Sequence, residues 1–295
     1  MTIVDGVVAT RGCLKALASQ EGAPPLEIVV PYDDSVRGMD ALVAEFPDVR
    51  FVSMGRVETL RPASRPSGQH ELFDRRRAAG LAAVTGDLVG ILEDRGVPRP
   101  DWARRAVELH ALPHAVIGGA VENGRDRLLN WAVYLCDFGR YQPPLTPGPR
   151  AYLTDVNICY KRGALEKTRH LWRDRYHETT VHWELLRSGE TLFLAPELVV
   201  EQRRDHLRLF ALLRERLDWG RLFAYTRAKE LSRGRLLLLA ALCPLLPFAL
   251  FGRLAALQLR KRVALGAFLR AAPAVWLLMA TWSAGEMLGY VTAKP

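Results

Sequence analysis

The chain has 295 residues, of which 49% are hydrophobic and 25% are charged, a balance that excludes a disordered or fibrous protein. Its four cysteines form no CxxC pair, which argues against a zinc site and against a disulfide-stapled secreted domain. The formal net charge is +9, and this basic excess favours either nucleic acid or an anionic membrane as a partner.

The first 200 residues alternate short β-branched runs with helical patterns. The predicted strands lie at 26–31, 49–54, 87–92, 115–121 and 192–200, and the predicted helices lie at 36–46 and 72–84. Loops are predicted at 61–69 and 142–150, where proline and glycine are frequent. Strands that alternate with helices predict a mostly parallel sheet with helices on both faces.

Two predicted strands end in acidic pairs, Asp33-Asp34 and Glu93-Asp94. In sheets of this kind, ligands bind beyond the carboxyl ends of the strands. Carboxylates repel phosphate, but they bind a divalent cation that bridges to phosphates, or they accept hydrogen bonds from a sugar or base. Each pair could instead cap the helix that follows it. Two such pairs in an α/β order favour the functional interpretation.

Several segments resemble inverting family 2 glycosyltransferases with the GT-A fold. The donor-side segments are EIVVPYDDS and RRRAAGLAAVTGDLVGILEDRGVPRPDW, and the acceptor-side segments are TDVNICYKR and HETTVHWELLRSG. The similarity covers nearly the whole chain in order and spacing. It implies an α/β chain with the GT-A (nucleotide-diphospho-sugar transferase) fold and a mostly parallel central sheet, followed by C-terminal amphipathic and hydrophobic membrane-associated helices.

The resemblance assigns five residues to the nucleotide-sugar donor. Asp33 and Asp34 are expected to contact the nucleoside. Arg77 is expected near the diphosphate or the base, and Glu93 near the ribose or a metal ion. Thr10 matches the turn that grips the base, although the first helix is shorter here than in the family.

The resemblance also assigns the metal ligand and the acceptor side. Asp94 is the expected ligand of a divalent cation, Mg²⁺ or Mn²⁺, and Glu178 is the expected general base. Asp155 and Asn157 are expected near the acceptor sugar or the donor hydroxyls. In a single displacement, a carboxylate takes the acceptor proton while a cation stabilises the departing diphosphate.

Two positions depart from the family pattern. Arg95 stands where many relatives carry a third acidic residue or a histidine, so it either adds positive charge at the diphosphate or is a solvated side chain. Glu178 is followed by Thr179 where relatives often carry aspartate, which leaves Glu178 as the only carboxylate there. It could instead be a first-turn glutamate that the helix dipole favours, and His177 and His182 could share the proton transfer.

The net positive charge of the chain comes from its last third. Residues 1–200 hold 25 Lys and Arg against 26 Asp and Glu, whereas residues 201–295 hold 16 against 6. The same third contains a basic amphipathic pattern at 205–227 and charge-free runs of 17 residues at 236–252 and 15 residues at 271–285. This combination favours an interfacial membrane anchor; the alternative is a set of buried helices in a soluble all-α domain.

Both charge-free runs are shorter than the roughly 20 apolar residues of a spanning helix. Two full crossings would also place the basic cluster at 260–262 outside, against the positive-inside tendency. We therefore expect a re-entrant or monotopic hairpin at the cell membrane, with a catalytic domain in the cytoplasm because residues 1–9 lack a signal peptide. The expected domains are a glycosyltransferase domain at 1–204, an amphipathic region at 205–235 and a hydrophobic anchor at 236–295.

These features predict an inverting hexosyltransferase at the cytoplasmic membrane face. Its expected donor is a UDP-sugar, and its expected acceptor is a lipid-linked or membrane-proximal glycan or glycolipid. The sequence lacks the Gln-x-x-Arg-Trp motif of processive members, which favours transfer of a single sugar. The alternative is a catalytically inactive, membrane-bound partner or scaffold. No nucleic-acid partner is expected, because the α/β part is almost neutral and the basic residues stand among apolar helices.

Overall fold

The structure is a computed structural model that describes residues 1–63, 65–228 and 231–293, apart from the side chain of Pro66. The chain divides into two compact units. The α/β unit consists of residues 1–62, 69–122 and 145–203, and the helical unit consists of residues 63–68, 123–144 and 204–295.

Among the described residues, helices and strands largely alternate in the first half of the chain, and only helices follow the last strand. The helices are α1 (Val7–Ala18), α2 (Met39–Glu45), α3 (Pro66–Ala83), α4 (Trp102–His110), α5 (Leu128–Phe138), α6 (Arg162–Lys167), α7 (Arg169–Trp172), α8 (Glu178–Arg187), α9 (Leu209–Ala228), α10 (Arg233–Leu242), α11 (Leu246–Lys261) and α12 (Leu265–Thr292). The strands are β1 (Val29–Tyr32), β2 (Arg50–Ser53), β3 (Leu88–Leu92), β4 (Gly96–Pro98), β5 (Val116–Asn123), β6 (Gly148–Pro149), β7 (Asn157–Lys161) and β8 (Leu192–Gln202). Each strand and helix predicted in the first 200 residues is present, with shifted ends.

The strands of the α/β unit form two sheets. β1 and β2 pair in parallel, with Val29 opposite Arg50. Within the described part of the chain, a second sheet has the order β3-β7-β5-β8-β4, and β6 pairs with β8. β7 runs antiparallel to both β3 and β5, and β8 runs antiparallel to β4.

The expectation of a mostly parallel sheet is therefore wrong, because this sheet is mixed. The apolar run of β7 is almost entirely buried, and such a run indicates a strand without indicating its direction. That segment was assigned to the acceptor side by resemblance, and no strand was predicted there. A strand inserted antiparallel between β3 and β5 was consequently missed.

The first residues of the chain connect the two sheets. The nitrogen of Met1 donates to the carbonyl of Val29 at 2.8 Å, and the amide of Thr2 donates to the carbonyl of Leu92 at 2.8 Å. The carbonyl of Thr2 accepts from the amide of Asp94 at 2.9 Å. This segment therefore links the first residue of β1 to the carboxyl end of β3.

The core of the helical unit is a close contact between α9 and α12. A Cβ atom at Gly220 would lie 2.1 Å from the carbonyl oxygen of Trp282, and one at Gly285 would lie 2.0 Å from the carbonyl oxygen of Leu217. Only glycine fits where two helix backbones approach so closely. Asp137 of α5 and Arg216 of α9 form a buried ion pair of 2.7 Å in the same unit.

Two apolar segments of the helical unit are longer than the charge-free runs of the sequence. Residues 233–261 and Leu265–Thr292 contain 29 and 28 residues, long and apolar enough to cross a membrane. The segments are longer because each helical stretch includes flanking charged residues and, in the first, a short 3-10 turn at Cys243–Leu245. Only 22% and 28% of their most apolar stretches are buried, unlike the core helices of a soluble protein.

Candidate functional site

Asp33 follows β1 and is held by an arginine that the sequence analysis did not select. The Nε atom of Arg76 in α3 donates to Oδ2 of Asp33 at 2.7 Å, and the amide of Ser35 donates to Oδ1 at 2.9 Å. Burial raises the pKa of Asp33, but the hydrogen bonds from Ser35 and the charge of Arg76 outweigh it and hold the pKa below its usual value. Asp33 is therefore a fixed, ionised acceptor at the end of β1.

Arg77 joins acids from separate segments of the chain. Its Nη2 atom lies 2.7 Å from Oε1 of Glu93, which follows β3, and 2.8 Å from Oδ2 of Asp155, which precedes β7. Its Nη1 atom donates to Asp74 on the same helix at 3.2 Å. Burial opposes the charge of Arg77, but these carboxylates raise its pKa, so the guanidinium stays protonated.

Asp94 caps the first helix of the chain. Its Oδ2 atom accepts hydrogen bonds from the amides of Asp5 at 2.9 Å and Gly6 at 3.0 Å, directly before α1. A carboxylate at this position satisfies the free amides of a helix N-terminus and complements the helix dipole. Burial raises the pKa of Asp94 to about 7, and the amide of Val4 opposes this shift.

Glu178 is the first residue of α8 and receives a hydrogen bond from Tyr152. The phenol of Tyr152 donates to Oε1 of Glu178 at 2.6 Å. Burial raises the pKa of Glu178, but Tyr152, His177 and Arg77 outweigh it and hold the pKa below its usual value. Glu178 is therefore an ionised carboxylate within the electrostatic reach of Arg77, and it can accept a proton.

Buried aromatic side chains lie next to Tyr152. The ring of His182 packs against Tyr152 with 5.6 Å between centroids. The hydroxyl of Tyr160 lies 2.8 Å from Nε2 of His182 and 2.6 Å from the hydroxyl of Tyr176. Burial lowers the pKa of His182 to about 4, so the ring is neutral at physiological pH. Its share in proton transfer stays a prediction.

The comparisons with known proteins support the same assignment of fold. The mannosyltransferase PcManGT from Pyrobaculum calidifontis, solved in complex with GDP-Man and Mn²⁺, matches 96% of this chain with 85% of its own chain. The TM-score is 0.55 and the sequence identity is 15%. The chain has a glycosyltransferase fold. No protein-family model and no curated protein matches the chain.

This match confirms the glycosyltransferase fold that the sequence resemblance implied. The assignment to family 2 and the inverting mechanism stay predictions. Of the expected donor and acceptor residues, the structure brings together Arg77, Glu93 and Asp155 by direct contact, with Glu178 nearby. Asp34 is exposed, and its amide donates to the carbonyl of Gly55 at 3.1 Å.

Two expected site residues lie inside the fold. Thr10 belongs to α1 rather than to a turn, and its hydroxyl donates to the carbonyl of Gly6 at 3.0 Å. Asn157 begins β7, where its side-chain nitrogen donates to the carbonyls of Ala120 and Leu198, each at 2.8 Å. Its Oδ1 atom accepts from Trp102 at 2.8 Å, so the amide of Asn157 connects strands of the core.

The acids of this region do not form a ready cation site. Among the described residues, no group of three His, Cys, Asp or Glu side chains could hold a metal ion. Glu93 is paired with Arg77, and Asp94 is 2% exposed and occupied by the amides before α1. The residues at the end of β3 therefore do not fit the expected divalent cation, whose assignment to Asp94 stays a prediction.

Sequence reasoning missed Arg76, Asp5 and Tyr152. The run of three arginines at 75–77 places positive charge on three sides of a helix, and this pattern could have marked Arg76 as a candidate site residue. Tyr152 gave no signal, because it lies 26 residues from Glu178 and only the folded chain brings the two together.

Proposed function

We propose that this chain is an inverting glycosyltransferase that transfers one sugar from a nucleotide-sugar donor to an acceptor hydroxyl at a membrane. The observation that carries the proposal is the convergence of acids on Arg77. Glu93 and Asp155 contact this guanidinium, and Glu178 lies near enough for their charges to shift one another's pKa. Residues predicted for the donor and for proton transfer thus share one site.

The proposed reaction is a single displacement. The acceptor hydroxyl oxygen attacks the anomeric carbon of the sugar and forms the new glycosidic bond. The bond between that carbon and the phosphate oxygen breaks, and the nucleoside diphosphate leaves with the electron pair. The hydroxyl proton passes to Glu178, whose lowered pKa keeps it ionised before the reaction. One base and one face of attack imply inversion at the anomeric carbon.

The end of β1 suits the nucleoside. Asp33 is an ionised carboxylate there, and carboxylates accept hydrogen bonds from ribose hydroxyls and base amides. It is 3% exposed and held by Arg76 and Ser35, so contact with a nucleoside requires this end of the strand to open. The sequence resemblance favours UDP, whereas the neighbouring mannosyltransferase was solved with GDP-Man. The Mn²⁺ bound to that mannosyltransferase favours a divalent cation in this chain as well. The acidic side chains of this chain argue against one, because they already have other partners and no three of the described candidate ligands could hold a metal ion together.

The helical unit supports a membrane location. Its two long apolar segments are mostly exposed, and residues 201–295 carry 16 basic against 6 acidic side chains. A protein held at the cytoplasmic face in this way would meet lipid-linked acceptors, such as a glycolipid or a lipid-linked glycan.

A second candidate is a catalytically inactive protein that keeps the fold and serves as a scaffold. Two departures from the family pattern favour it: Arg95 stands where many relatives carry an acidic residue or a histidine, and Thr179 stands where relatives often carry aspartate. The two candidates differ in whether the chain turns over a donor.

The deciding experiment incubates the full-length protein in lipid with a panel of UDP- and GDP-sugars, with Mn²⁺ and with EDTA. Glycosyl transfer or donor hydrolysis that Glu178→Gln reduces by a factor on the order of 10² supports the enzyme. Glu184→Gln, on the same helix but paired with Arg187 at the surface, is the matched control. If no donor is consumed and no nucleotide shifts the melting temperature, the scaffold is the better account.

A further inference from the structure

Arg95 is a fixed cation at the carboxyl end of β3. Its Nη2 atom donates to Oδ1 of Asp5 at 2.5 Å, and its side chain keeps 19% of its surface exposed. An arginine side chain is protonated at any physiological pH, and Asp5 holds this one in place. A guanidinium has five N–H donors in a rigid fork, and within the described residues its Nε has no partner.

The acids beside Arg95 are already committed to other partners. Glu93 is bound to Arg77, and Asp94 holds the amides of Asp5 and Gly6. A divalent cation here would have to displace one guanidinium or uncap α1. Magnesium and manganese ions prefer a nearly octahedral set of oxygen ligands, and these side chains do not offer one.

We propose that Arg95 takes the place of a divalent cation and that this chain binds the diphosphate of its donor without a metal ion. This inference rests on the proposed function. Arginine forms bidentate, charge-assisted hydrogen bonds with phosphate oxygens, and a guanidinium fixed beforehand by Asp5 stabilises the charge that develops on a departing diphosphate. Asp5 is a positioning residue in this arrangement, since it holds Arg95 and does not touch the donor.

The test measures binding of UDP and GDP to the full-length protein by calorimetry, in EDTA and in Mn²⁺. The wild type is expected to bind one of these nucleotides with similar affinity in both conditions. Arg95→Ala is expected to weaken binding by roughly tenfold or more, the effect of losing charge-assisted hydrogen bonds. Arg95→Asp is expected to bind only when Mn²⁺ is present.

Arg99→Ala is the matched control, because Arg99 lies four residues further on and forms an exposed pair with Glu122. This variant should bind as the wild type does, and thermal unfolding verifies the fold of every variant. Wild-type binding that EDTA abolishes and Mn²⁺ restores would overturn the inference while leaving the proposed function intact. Binding of neither nucleotide in either condition, by a folded protein, would overturn both.

Discussion

The phenol of Tyr152 donates a hydrogen bond of 2.6 Å to Oε1 of Glu178. Burial works against an ionised Glu178, and this hydrogen bond is the largest of the effects that outweigh it. The proton acceptor of the proposed reaction therefore depends on a residue that it meets only in the folded chain. Packing against His182 holds the ring of Tyr152 in place.

Tyr152→Phe is expected to move the acidic limb of the pH–rate profile to higher pH. A general base works when it is ionised, so the rate falls as the pH drops through its pKa. Burial raises the pKa of Glu178, and the hydrogen bond from Tyr152 lowers it. Without the hydroxyl that hydrogen bond is lost, so the pKa of Glu178 rises. Measurement of kcat from mildly acidic to neutral pH gives the limb, and calorimetry with UDP and GDP should give an unchanged donor affinity.

Tyr225→Phe is a suitable control for this prediction, because Tyr225 belongs to α9 of the helical unit. Its profile should coincide with that of the wild type. If the acidic limb of Tyr152→Phe also stays in place, Glu178 is not the base that limits the rate at low pH.

The sequence located the arginine helix but not the partner of each arginine. Arg75, Arg76 and Arg77 follow one another on α3, and successive residues of a helix point roughly 100° apart. Accordingly, Arg75 contacts Glu71, Arg76 contacts Asp33, and Arg77 contacts Glu93 and Asp155. Helical periodicity alone shows that the three diverge, whereas the identity of the partners depends on which strand ends lie beside each face.

The acidic pair after β3 shows a second limit of sequence reasoning. Glu93 and Asp94 were expected to face one ligand together. Neighbouring residues at the end of an extended strand point to opposite sides, and here one meets Arg77 while the other meets the amides before α1. The sequence also could not show the direction of β7, because strand pairing depends on contacts between residues that are distant in sequence.

Asp94→Ala is expected to reduce the free energy of unfolding by about 2 kcal/mol, because it removes a helix cap and takes the acceptor from the amides of Asp5 and Gly6. Asp94→Asn, which keeps one acceptor oxygen, should lose less. Asp48→Ala changes an exposed aspartate in a loop and should leave stability nearly unchanged. Denaturant unfolding of the three variants measures the effect.

A different result would restore the metal assignment of Asp94. In that case Asp94→Ala would unfold as the wild type does, yet would lose Mn²⁺-dependent nucleotide binding.

Gly285→Ala is expected to destabilise the helical unit by about 1–3 kcal/mol, the usual cost of overpacking. The new methyl group would lie 2.0 Å from the carbonyl oxygen of Leu217, and α9 and α12 would have to separate. Gly252→Ala in α11 is the matched control, since nothing lies within 4 Å of its added Cβ. In a helix this control should be neutral or stabilising by up to about 1 kcal/mol. Thermal unfolding in lipid or detergent compares the two variants with the wild type. Equal melting temperatures for Gly285→Ala and the wild type would contradict the close contact between α9 and α12.

The exposed apolar side chains of α10 and α11 are expected to bind the full-length protein to vesicles. Leu238 and Phe248 are 60% and 63% exposed, and the basic residues of this unit favour anionic lipid. The double variant Leu238→Glu/Phe248→Glu should float poorly after cell-free synthesis with vesicles, since each carboxylate costs on the order of 2–3 kcal/mol in hydrocarbon. The control Leu60→Glu/Val107→Glu adds the same charge at exposed positions of the α/β unit and should float as the wild type does.

The same flotation assay separates an interfacial anchor from a spanning one. An interfacial hairpin held partly by charge should leave anionic vesicles in high salt and alkaline carbonate, because salt screens its basic residues. Segments of 29 and 28 residues that cross the bilayer should stay with the vesicles under the same treatment. A wild-type protein that stays with the soluble fraction in every condition would contradict membrane association altogether, and the apolar faces of α10 and α11 would then have to be covered by protein.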